Sequence, residues 1–169
     1  MQMRSQTAFA GILSALLTVA SGPAAPADLH AFWDDRCAEC HGHAAQFARN
    51  HLKLKDGRLV GSRASRDVCQ FLASHGAGPE MAQPLCAMLA AQAATPSLFK
   101  QKCAGCHQTA ADLARASLVL EAGVLKGKAN GKPLAGFLVS HGAVTAEEEA
   151  RLVATLTRVL TEVGATAGK

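Results

Sequence analysis

Cys37-Ala38-Glu39-Cys40-His41 and Cys103-Ala104-Gly105-Cys106-His107 are one five-residue pattern, C-x-x-C-H, written twice in a single chain. Two thiols at this spacing reach the two vinyl groups of one porphyrin, and the His that follows sits where it can give an imidazole nitrogen to the iron. This is the spacing of c-type haem attachment. A zinc ribbon also pairs C-x-x-C motifs, but it leaves both following His residues without a purpose. A dithiol redox site expects a βαβ context, and no such pattern is visible. The expected cofactors are therefore two haem c groups. Cys37, Cys40, Cys103 and Cys106 are the thioether positions, and His41 and His107 are the proximal iron ligands.

The motifs are the fixed points of an internal duplication. With Cys37 set against Cys103, the segment from Cys37 to Ala77 aligns without a gap on the segment from Cys103 to Ala143, and nearly half of the positions are identical. Ala48-Arg49 falls on Ala114-Arg115, Gly57 on Gly123, and Phe71-Leu72 on Phe137-Leu138. Ser74-His75-Gly76-Ala77 falls on Ser140-His141-Gly142-Ala143. A repeat of this length that carries its own cofactor can be a domain by itself. Of the seven His residues, only two pairs are His in both halves: His41 with His107, and His75 with His141.

His75 and His141 follow their proximal His at the same spacing, each inside F-L-x-S-H-G. They are the candidate distal ligands; the bland alternative is an ordinary surface His at a helix end. Met81 is the rival for the first haem, and a buried Met filling the core is the usual use of that residue. The second half has no Met, so the rival does not extend to the second haem. The choice has consequences. A thioether raises the potential, whereas a second imidazole lowers it and closes the iron to exogenous ligands.

The stretch from Met1 to Ala27 reads as a targeting segment. Arg4 precedes an apolar run from Ala8 to Ala20, and small residues follow at Ala25-Pro26-Ala27. That is the order of a secretory signal peptide, with the cut placed between Ala27 and Asp28. An uncleaved anchor is the alternative, although the run is short for a span. Export to the periplasm follows, and no later stretch is apolar enough to cross a membrane. A formal charge of +4 with no basic run gives no support to nucleic-acid binding.

The remaining chain reads as two units, 28–92 and 93–169, each small enough that a buried porphyrin would help complete its core. The expected fold class is all-α. Helices are expected from Asp28 to Cys40, Ala44 to Leu52, Asp67 to Ser74 and Pro79 to Ala93. In the second half they are expected from Thr95-Pro96 to the haem motif, Ala110 to Leu120, Pro133 to Ser140, and onward from the N-cap Thr145. Gly57 to Gly61 and Gly123 to Gly131 read as loops, and Ala90 to Thr95 as a hinge. The first unit's last helix is expected to be the shorter of the two terminal helices.

Cys69 and Cys86 belong to neither motif, and their counterparts are Ala135 and Leu152. Two facing core thiols in an oxidising compartment are expected to form a disulfide; two free buried thiols are the alternative. Arg49 with Arg115, and Arg36 with Lys102, are basic in both halves. They suit either haem propionates or a solvated helix face.

Two C-x-x-C-H motifs, an export signal and helical units resemble a soluble dihaem cytochrome c made of two class I-like domains. The plan is similar to that of cytochrome c4. The F-L-x-S-H-G segment in place of a Met-bearing loop resembles the bis-His dihaem cytochromes c instead. The resemblance implies a periplasmic carrier of single electrons between a redox donor and an acceptor, with no catalytic residues of its own. A haem sensor or ligand-binding protein, or an electron-transfer subunit of a larger enzyme, are the competing functions.

Overall fold

The computed structural model describes residues 27–164. The signal-peptide expectation therefore falls, apart from Ala27, outside the described residues. The carboxylate of Asp28 accepts the Ala31 N–H and starts α1 (Leu29–Arg36). The backbone leaves helical geometry at Cys37 and re-enters it as a single turn, α2 (Ala38–His41). The expected continuous helix is thus two pieces, with Cys37 at the break and Cys40 inside the short turn. After Gly42, at φ +66°, His43 caps α3 (Ala44–His51).

The all-α expectation is corrected at this point. β1 (Leu52–Lys55) pairs antiparallel with β2 (Arg58–Gly61), and β3 (Leu118–Glu121) pairs with β4 (Val124–Gly127). Each half carries one two-stranded hairpin among its helices. The first stretch expected as a loop is almost all strand, and the second contains the strand Val124–Gly127. The helix expected from Ala110 to Leu120 stops at Ser117, and the one expected to reach Leu52 stops at His51. The cause is local. Asp56 and Gly57 are both left-handed, at φ +50° and +73°, and Ala122 and Gly123 match them at +48° and +78°. A two-residue turn with both residues at positive φ has the twist that two paired strands need. Leu52 and Leu59, like Leu118 and Leu125, are buried and hold the hairpins onto the helices.

The first half continues through α4 (Val68–Ser74), capped by Asp67, and α5 (Gly78–Ala94). The second half runs through α6 (Leu98–Lys102), α7 (Ala110–Ser117), the β3–β4 hairpin, α8 (Phe137–His141) and α9 (Ala146–Glu162). Three expectations shift. Both α5 and α9 have 17 residues, so the first unit's last helix is not the shorter. Because α5 persists to Ala94, the chain passes between the halves at Thr95 to Ser97 rather than over Ala90 to Thr95. Helix α6 starts after Ser97, later than Thr95-Pro96 suggested. Helix α9 has the expected capping box. Thr145 Oγ1 accepts the Glu148 N–H, and the Glu148 carboxylate accepts the Thr145 N–H.

The halves bury separate cores. Trp33, Leu59, Leu85, Met88 and Leu89 centre the first, and Leu156, Val159 and Leu160 of α9 centre the second. Two polar contacts join the halves at the seam. Arg115 grips Asp28, with Nε to Oδ2 at 2.7 Å and an Nη to Oδ1 at 3.0 Å. His30 Nε2 lies 2.9 Å from Glu162 Oε2, and Arg158 donates to the other Glu162 oxygen at 2.5 Å. No helix among the described residues is long and apolar enough to cross a membrane.

Candidate functional site

Each half contains one cavity that gathers the residues of its own motif. The first, about 550 Å3, is lined by Cys37, Cys40, His41 and His75. The second, about 620 Å3, is lined by Cys103, Cys106, His107 and His141. Leu52, Val68, Leu72 and Leu89 supply apolar wall to the first; Leu118, Leu134, Leu138 and Leu156 do so in the second. Volumes of this order suit a cofactor-sized guest. Eight sequence-selected residues, scattered along the chain, are thus brought to the same two places.

In each cavity the two imidazoles lie close together with their planes inclined, at 63° in the first and 48° in the second. The ring centres of His41 and His75 are 6.1 Å apart, and those of His107 and His141 are 6.3 Å apart. With metal–nitrogen bonds of about 2 Å and roughly 1 Å from ring nitrogen to ring centre, two imidazoles on opposite sides of one metal have centres about 6 Å apart. The donor set therefore fits a haem held on both faces, with the cysteine pair beside it. Burial, helped by the nearby His75 and His51, pushes the His41 imidazole below its ordinary range, which favours the neutral ligating form. Burial pushes the Cys37 and Cys103 thiols up, which keeps them protonated. No group of three or more His, Cys, Asp or Glu side chains among the described residues is gathered to hold a bare metal ion.

The helices explain the placement. His41 ends α2, so its ring projects from a single turn tied to α1 by the Cys37 N–H to Trp33 carbonyl bond. The Trp33 indole N–H donates to the Gly42 carbonyl at 2.8 Å and pins the other side of that turn. His75 lies just past the end of α4, and His141 closes α8. Neither distal His is held by a side-chain hydrogen bond among the described residues. Each is stacked instead on the Phe four residues before it: Phe71 on His75 at 4.4 Å and 24°, and Phe137 on His141 at 4.7 Å and 20°. Phe71 and Phe137 line the cavities and were missed as functional residues. The signal was present, because F-L-x-S-H spaces Phe and His one helical turn apart in both halves.

Met81, the rival ligand, packs on the first core from α5 and does not line the cavity. The paired basic residues separate into two kinds. Arg36 and Lys102 line the cavities, whereas Arg49 and Arg115 line neither and lie toward the seam. Cys69 of α4 and Cys86 of α5 are joined as a disulfide, which ties the helix that presents His75 to the longest helix of its unit.

Comparison with protein-family models, with curated proteins and with solved structures finds no match.

Proposed function

We propose that this chain is a periplasmic dihaem c-type cytochrome that carries single electrons between redox partners. The observation that supports it best is the pairing of imidazoles, with ring centres 6.1 and 6.3 Å apart, each beside a C-x-x-C pair, in two cavities related by the duplication. Haem iron supplies one-electron redox chemistry. The chain's residues supply the rest. Cys37, Cys40, Cys103 and Cys106 would hold the two porphyrins by thioether bonds, His41 and His107 would supply the proximal imidazoles, and His75 and His141 the distal ones. The Leu and Val walls would give the ring an apolar surround. A haem held by a His on each side would have no position open to a substrate, and transfer of electrons is the activity that suits such an arrangement.

The test is an optical spectrum of the purified protein, oxidised and reduced, with and without carbon monoxide. It is paired with an intact mass. The expected result is two low-spin haems unmoved by the gas and a mass carrying two haem additions. A spectrum shifted by carbon monoxide would instead favour a sensor or ligand-binding role for that haem. A mass without haem would sink the proposal.

A further inference from the structure

The β1–β2 hairpin and the loop after it carry a stripe of basic side chains. Lys53, Lys55, Arg58, Arg63 and Arg66 are all exposed, and none of them forms an ion pair among the described residues. Between residues 53 and 66 only Asp56, in the turn, is acidic. The exposed acids Asp34, Asp35 and Glu39 of this unit lie on α1 and α2 instead.

A charged stripe is usually a solvated face, and two observations set this one apart. Lys55 and Arg58 are direct partners across the hairpin. Like charges directly opposite one another destabilise a strand pair, so the fold alone does not favour this choice. The duplication supplies the comparison. Lys53, Lys55, Arg58 and Arg63 are matched by Val119, Glu121, Val124 and Ala129, none of them basic. In that second hairpin Lys126 pairs with Glu121 at 3.0 Å, and Lys128 donates to the Arg115 carbonyl. The same scaffold thus holds its two strands without the stripe.

The stripe borders the first cavity. Leu52 and Gly61, a strand pair at the base of the hairpin, line that cavity, and so does Arg66. Lys55 and Arg58 stand three residues further out, roughly 10 Å along the strands. The Arg66 guanidinium lies over the Phe71 ring, which in turn stacks on His75. Leu54, between the two lysines, is 51% exposed and gives the hairpin one large apolar side chain for contact.

We infer, on the reading of this chain as a dihaem carrier, that the first hairpin docks an acidic one-electron redox protein against the first cavity. When that partner is the donor, one electron leaves it and reduces the first haem, and no bond forms or breaks. Unpaired cations beside the cavity raise the rate of encounter and set its orientation more than they raise affinity. The complex is therefore weak and sensitive to salt. An anionic membrane would meet the same cations, but residues 53 to 66 include no aromatic side chain to anchor in a lipid interface.

The test uses the full haem-loaded protein labelled with nitrogen-15, and oxidised flavodoxin, a small acidic redox protein, as the probe. With both proteins oxidised no electron moves, so an NMR titration reads docking alone. Flavodoxin is expected to shift amide signals within 53–66 and to leave those of 119–132 in place. Raising the salt from about 10 mM to about 200 mM shortens the screening length from about 30 Å to less than about 10 Å, and should weaken binding about tenfold. Lys55→Glu, which removes the like-charge pair with Arg58, should weaken binding about tenfold while the melting temperature holds or rises. Lys132→Glu in the second unit should change it less than about twofold. The map on the native protein stands whether or not the variants fold. Hairpin signals that ignore flavodoxin in a loaded, low-spin protein would overturn the inference and leave the carrier reading standing. Equal shifts in the two hairpins, or binding indifferent to Lys55→Glu, would also overturn it. Shifts caused by phosphatidylglycerol vesicles but not by flavodoxin would assign the stripe to a membrane surface instead. A protein that carries no haem would remove the carrier reading and the inference with it.

Discussion

The ring of His75 stands 6.1 Å, centre to centre, from the ring of His41, and between the two residues lies about half of the first unit. His141 and His107 repeat the relation at 6.3 Å in a half whose sequence has drifted at more than half of its aligned positions. The duplicated halves keep the same spacing, and the proposed haem would bridge it in each. His75→Ala and His141→Ala are each expected to convert one haem, and only one, from low spin to high spin. Low-temperature EPR would read this as loss of one of two low-spin signals. Met81→Leu is expected to leave both signals in place. If neither His substitution alters them, the distal assignment fails.

The stacked Phe gives a finer expectation. Phe71 and Phe137 stack on the His75 and His141 imidazoles, and the Arg66 guanidinium covers the Phe71 ring at 5.0 Å. Removing the ring leaves the His on its short helix but frees its orientation, at a loss of about 1 kcal/mol of aromatic contact. Phe137→Leu is therefore expected to produce a minor high-spin fraction that binds carbon monoxide, without loss of haem. Phe137→Tyr should restore the native spectrum. A Phe137→Leu protein inert to the gas would mean that the stacking does not position the ligand.

Much of this arrangement could be read from the chain. The motifs, the duplication and the filter it places on the His residues selected the positions that the structure gathers into two cavities. The hairpins were missed because Leu52-Lys53-Leu54-Lys55 gives only a short alternation, directly after a helix with which it is continuous in pattern. The Asp56-Gly57 turn was the usable signal. Its counterpart Ala122-Gly123 is a poorer one, since Ala seldom adopts positive φ. The seam was illegible for a different reason. Asp28 meets Arg115, and His30 meets Glu162, across separations of 87 and 132 residues that no local pattern encodes.

The Cys69–Cys86 disulfide closes a 17-residue separation between α4 and α5. Closing a loop of that size is worth about 3 kcal/mol, chiefly by restricting the unfolded chain. Cys69→Ala with Cys86→Ala, the latter position being buried, is expected to lower the unfolding midpoint of the first unit and spare the second, whose core lacks the bridge. Denaturant unfolding followed separately at the two haem signals would show this. Because α4 presents His75, loss of its low-spin signal should come first in the variant. Equal destabilisation of both haems would argue that the seam, not the bridge, sets the stability of each unit.

The seam itself has a pH signature. Burial alone would raise the Asp28 carboxyl, but hydrogen bonds from Arg115 and the Ala31 N–H, with the nearby charges of Arg115 and His30, outweigh it and hold the group below its ordinary value of 3.8. A carboxyl depressed in the folded state adds stability above its unfolded value and loses it as pH falls through the folded value. Asp28→Asn keeps an N-cap but removes the charge that Arg115 grips. It is expected to cost about 1 kcal/mol at pH 7, since the pair is only part-buried. Asp28→Ala removes the cap as well and should cost about 1 kcal/mol more. The deficit of the Asn variant should shrink below pH 4 and vanish once native Asp28 is protonated. Urea midpoints measured from pH 7 to pH 2 would test it, and a difference between native and Asn proteins that stays constant over that range would rule out the Asp28–Arg115 pair as a contributor to stability.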